Sequence, residues 1–133
     1  MANTTAQTIT IPEGVATVVP LATALPALDV TYTPANSITI AEDGDYELTY
    51  LLTDATAANA GTLALYVRRN GAEIADSAVS ATLAAGENFA LRGTTIQTLT
   101  AGDVLDLALF TTGAQTVTLP EDLSANLVVK KLN

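Results

Sequence analysis

Leu99-Thr100-Ala101-Gly102-Asp103-Val104-Leu105-Asp106-Leu107-Ala108-Leu109-Phe110 decides the fold: a Gly-Asp turn is followed by a run in which every second residue is leucine. A period of two belongs to a strand with one buried face, and Ala101-Gly102-Asp103 supplies the turn that starts it. Leu105, Leu107 and Leu109 share the core face, and Val104, Asp106, Ala108 and Phe110 lie opposite. That opposite face is too apolar for water yet carries Asp106. Residues 124–132 close the chain in the same way, with Asn126, Val128, Lys130 and Leu132 on one side and Leu127, Val129 and Lys131 on the other. A sheet apolar on both faces must be covered twice. With no helical segment to supply the second cover, another copy of the chain is expected to supply it.

The same period runs outward through the chain. Residues 8–11, 29–33, 37–40 and 115–119 alternate Thr with an apolar partner, and 46–53, 62–69, 88–99 and 104–112 are longer candidates. Between them stand Asp43-Gly44-Asp45, Asn70-Gly71, Ala85-Gly86-Glu87, Ala101-Gly102-Asp103 and Thr112-Gly113. About ten strands with turns roughly every 8–12 residues predict an all-β antiparallel sandwich or jelly roll. Asn70-Gly71 predicts a type I′ hairpin joining 62–69 to 72–76, because Asn and Gly best tolerate the two positive φ angles. In 46–53, Tyr46, Leu48, Tyr50 and Leu52 face the core, and Glu47, Thr49, Leu51 and Thr53 face out. Residues 55–60 and 79–85 read as loops, the second with some strand character. The whole of 1–133 reads as a single domain, with 1–5 a flexible N-terminus.

Composition narrows the function classes. Apolar residues make up 49% of the chain against 14% charged, with a mean hydropathy of +0.36, so some apolar surface is expected to end in a subunit interface. A net charge of −9 with only Arg68, Arg69, Arg92, Lys130 and Lys131 as cations leaves no phosphate-tracking surface, so nucleic acid is excluded as a partner. The uncharged stretch 14–28 is broken by Pro20 and Pro26 and is too short to span a bilayer, so no membrane insertion is expected. The first residues carry no signal-peptide pattern. The absence of Cys and His removes disulfides, the usual zinc ligands and the usual base for Ser77, Ser80 or Ser124. No enzyme, no catalytic residue and no cofactor are therefore expected. Glu42, Asp43 and Asp45 form the one dense acidic cluster, whose oxygens suit calcium. They lack the spaced ligand run of a dedicated calcium loop, and a solvated hairpin turn accounts for the same residues. Glu121-Asp122 is a weaker version of the same pattern.

Residues 38–50, with Gly44-Asp45-Tyr46 and Tyr50 four residues on, resemble the strand-turn-strand signature of the superfamily of tumour necrosis factors and complement globular heads. Residues 65–74 are similar to its Asn-Gly hairpin, 99–107 to its Gly-Asp strand start, and 124–132 to its terminal strand. The Ala/Thr/Val wealth and the ending Leu-Val-Val-Lys-Lys-Leu-Asn look closest to the C-terminal domains of bacterial collagen-like surface glycoproteins of the exosporium. The resemblance covers residues 8–132. It implies a homotrimeric jelly roll that seeds a collagen-like stalk and presents an outer surface at a spore or cell surface. The Gly-X-Y period of such a stalk is not present in the chain, and the receptor-binding aromatic loops of the vertebrate members have no counterpart. On this reading Leu51, Ala108, Phe110 and part of the last strand line a trimer axis, with Asp106, Glu47 and Lys130 or Lys131 forming ion pairs near it. Other surface-layer proteins are further candidate partners. The alternative is an adhesin or phage-tip module of the same fold that binds a host receptor or glycan.

Overall fold

A computed structural model describes residues 1–21, 30–31, 36–120 and 125–132. The strands are β1 (Ala2–Asn3), β2 (Gln7–Ile11), β3 (Thr17–Val18), β4 (Val30–Thr31), β5 (Ile38–Ile40), β6 (Gly44–Ala57), β7 (Gly61–Arg69), β8 (Ala72–Glu73), β9 (Val79–Leu83), β10 (Asn88–Leu99), β11 (Val104–Thr111), β12 (Gln115–Leu119) and β13 (Ala125–Lys131). One 3-10 turn covers Ala75–Ser77. They form two antiparallel sheets. The first is ordered β1-β13-β6-β12-β2, with β10 on the other side of β6. The second is ordered β4-β5-β11-β7-β8, with β3 also on β11 and β9 also on β7. Thirteen strands among the described residues exceed the expected ten because several are two-residue segments completing a sheet.

The core lies between the sheets. Tyr46, Leu48, Tyr50 and Leu52 point into it from β6, and Leu105, Leu107 and Leu109 from β11, as their alternation predicts. Three expectations need correction. Residues 55–57 are not loop: β6 runs on to Ala57, and Ala55 and Ala57 are buried. The alternation breaks because Thr53 and Asp54 together face the single residue Ala90, a bulge with Asp54 at φ 53°. Residues 79–83 are strand β9, paired with β7. Residues 1–3, expected within a flexible N-terminus, are instead paired into the first sheet. Ala2 pairs with Asn126 and Asn3 with Ala125, Met1 is 5% exposed, and the Asn3 amide donates to the Thr5 carbonyl at 2.7 Å. Of the strand expected over 29–33, Val30–Thr31 is observed and the rest lies outside the described residues.

The Asn70-Gly71 turn forms as predicted, with φ of 53° and 84° and Arg69 paired to Ala72, but its second arm pairs only over Ala72–Glu73, because Ala75–Ser77 turns away as the 3-10 segment. It is fastened to the turn before β11. Asp103, 7% exposed, accepts from the Thr100 backbone N–H at 2.9 Å and the Asn70 amide at 3.0 Å, and pairs with the Arg69 guanidinium at 2.7 Å. Burial alone would raise its carboxyl, but those donors and the Arg69 charge outweigh it and hold the pKa below the ordinary 3.8. A depressed carboxylate stabilises the fold fully above its unfolded pKa and loses that contribution as pH falls through the folded one. The melting temperature is therefore expected to fall as pH drops below about 4. Asp103→Asn should flatten that slope, and an unchanged slope would mean that other carboxylates carry it.

Candidate functional site

With one face of each sheet in the core, the other faces are what the molecule offers to partners. On the first sheet β13, β6 and β10 lie side by side, and their register sets the outward residues in rows. Asn126, Leu51 and Arg92 form one row, Val128, Thr49 and Thr94 the next, and Lys130, Glu47 and Ile96 a third. Leu132 extends the pattern opposite Asp45, since its N–H bonds the Asp45 carbonyl at 2.8 Å. Among the described residues the large exposed hydrophobics are Val15, Ile96, Val128 and Leu132, at 51%, 62%, 42% and 46% exposure. All but Val15 lie on this face. Single exposed apolar side chains need no explanation, but three gathered on one face do.

The same face holds a shallow depression of about 310 Å³ lined by Thr49, Leu51, Arg92 and Thr94 with Tyr50 and Gly93. Glu47, Arg92 and Lys130 make no ion pair among the described residues. The Asn126 Oδ1, buried beside Leu51, has no hydrogen-bond partner there either. A buried acceptor without a donor costs about 1–3 kcal/mol. Ile96 and Arg92 are not among the interface residues expected from the sequence. The available signal was Ile96 itself, a large aliphatic at an outward position in the Thr-rich run 94–98.

The structure divides the residues expected at one axis. Glu47, Leu51 and Lys130 stand on the outer face of the first sheet, whereas Asp106, Ala108 and Phe110 stand on the outer face of the second, on the opposite side of the sandwich. Alternation marks a residue as outward but not the sheet to which it belongs. Ala108 is 0% exposed, and Phe110 is half-buried. Asp106 has its partner in its own chain: the Arg68 guanidinium meets both carboxylate oxygens at 2.8 Å. This hydrogen-bonded partner, against some desolvation, raises the Arg68 pKa above its ordinary value. A paired, half-buried fork of this kind is worth about 1 kcal/mol. Asp106→Asn is expected to lower thermal stability by that amount and to leave the mass in solution unchanged; dissociation would return Asp106 to an interface. Lys131 is likewise engaged within its chain, with Glu42 at 3.0 Å.

The acidic turn is used for fastening. Asp43 accepts from the Ala101 N–H at 2.7 Å, Asp45 from the Thr98 hydroxyl at 2.7 Å, and Glu42 holds Lys131. Among the described residues no three acidic, His or Cys side chains converge as a metal site. Glu121 and Asp122 lie outside them.

Two antiparallel sheets with this signature order agree with the sequence match, which extends over all of residues 1–133: the BclA C-terminal domain. The chain belongs to that family. These are the C-terminal domains of collagen-like proteins of the exosporium surface. No curated protein matches the sequence. Among solved structures, Eiger TNF from S. frugiperda is 18% identical with a TM-score of 0.58, the alignment covering 99% of this chain and 88% of that one. The murine APRIL structure is 12% identical, covering 85% and 97%, with a TM-score of 0.48. The globular domain of zebrafish complement 1qA is 18% identical, covering 86% and 93%, with a TM-score of 0.45. The Eiger likeness carries the fold, a TNF-like jelly roll. Among the described residues no helix is long and apolar enough to cross a membrane.

Proposed function

We propose that this BclA-type domain is a non-enzymatic homotrimerisation head of a spore- or cell-surface collagen-like protein. It associates through the outer face of β13, β6 and β10, seeds a stalk where one is attached, and presents its remaining surface outward. The observation that carries the reading is the gathering of Ile96, Val128 and Leu132 on one sheet face. Charges of both signs without an ion pair among the described residues, Glu47 against Arg92 and Lys130, give that face the means to complement a rotated copy of itself. The interface residues are then Leu51, Glu47 and Lys130 from the sequence-derived set, joined by Arg92, Thr94, Ile96 and Val128. Sedimentation equilibrium tests it: the expected mass is three times the 13.6 kDa chain, and a single-chain mass at micromolar concentration would overturn it.

A further inference from the structure

Asn70 and Gly71 are both exposed at the tip of the β7–β8 hairpin. A glycine after asparagine leaves its backbone nitrogen unobstructed, which is the arrangement in which that nitrogen attacks the side-chain amide carbon. The Gly71 N to Asn70 Cγ bond forms, ammonia leaves from Nδ2, and water opens the resulting five-membered imide at either carbonyl. The products are aspartate or isoaspartate. In the folded chain, however, both ends of the Asn70 amide are held. Its Nδ2 donates to Asp103 Oδ1 at 3.0 Å, and its Oδ1 accepts from the Val104 N–H at 2.9 Å. The Asn70 N–H adds a bond to the Val104 carbonyl at 2.8 Å. The amide plane is thereby tied to the start of β11 rather than free to turn toward Gly71.

We propose that Asn70 is a covalent modification site, at which spontaneous deamidation is restrained by the Asp103–Val104 clasp and, once it has occurred, unfastens the clasp. The second half follows from the contacts. Conversion replaces the Nδ2 donor by a carboxylate oxygen facing the Asp103 carboxylate, so an attraction at 3.0 Å becomes a like-charge contact. The isoaspartate form also inserts a methylene into a turn whose two residues must both hold positive φ.

The test is peptide mapping by mass spectrometry of the Asn70 peptide after incubation at neutral pH. The folded chain is expected to convert well below the rate of the same chain in denaturant, and equal rates would overturn the restraint. Asp103→Ala should speed conversion about fivefold, the factor that one net hydrogen bond is worth. Leu65→Ala, which loosens the core and leaves the clasp intact, separates restraint by the clasp from global unfolding. A similar acceleration in Leu65→Ala at matched loss of melting temperature would assign the protection to the fold as a whole and overturn the proposal. Asn70→Asp should melt below the wild type at neutral pH, and equal melting would overturn the unfastening.

Discussion

Ile96→Asp is expected to convert a three-copy assembly into single 13.6 kDa chains. In the isolated chain Ile96 is 62% exposed, so the fold loses little by its replacement. In the proposed assembly it would be covered, and covering an isoleucine contributes about 1.5–3 kcal/mol per copy. An unpaired carboxylate in its place adds several kcal/mol of desolvation. Each copy in the proposed assembly would repeat both penalties. Because Ile96 is paired across the sheet with Glu47, Ile96→Asp also places two acids opposite each other. Ile96→Lys removes that complication, since the new ammonium faces Glu47, and it should disperse the assembly as well. Phe110→Asp is the contrast. Read from the sequence alone, Phe110 sits at the axis and its charge would separate the copies; on the second sheet it should leave the three-copy mass intact.

The second large effect concerns the fold. Gly93 faces inward on β10 directly opposite Tyr50, and a Cβ added there would come within 2.7 Å of the Tyr50 ring. The ring has nowhere to retreat, because its hydroxyl donates to the Ser77 carbonyl while Ser77 itself is held by Ile74 and Val67. Gly93→Ala is therefore expected to cost about 2–3 kcal/mol, the upper part of the range for overpacking a filled core. In a chain of this size that is a fall of roughly 10 °C in melting temperature. Tyr50→Leu removes the ring atoms that obstruct the Cβ. The double variant Gly93→Ala/Tyr50→Leu should then be more stable than the sum of the single costs, whereas strict additivity would mean that the two residues do not meet.

Turn chemistry and alternation made much of the fold legible. Asn70-Gly71 and Gly102-Asp103 name their turns because positive φ is cheap at few residue types, and the leucine ladder of 105–109 names its buried face. The strand beyond Thr53 was not legible, because the bulge at Asp54 resets the period and leaves Ala55 and Ala57 reading as a stray alanine run. The N-terminal strand was hidden because two residues carry no period; the β13 edge, not local propensity, orders them. For the candidate site the gap is of another kind. Glu47 and Asp106 look alike in a sequence, each an acid on the outward face of an apolar strand. Only the pairing of β6 with β13 and β10, and of β11 with β7, puts them on opposite sides of the molecule.

The chain has no cysteine, so one introduced residue carries one label. Spin labels at Thr94→Cys and, separately, at Phe110→Cys would report inter-chain distances by pulsed electron resonance. Association through the β13–β6–β10 face predicts a single inter-label distance at each position, with the one from residue 94 distinctly the shorter. No inter-chain distance at all, or the shorter one from residue 110, would contradict the account.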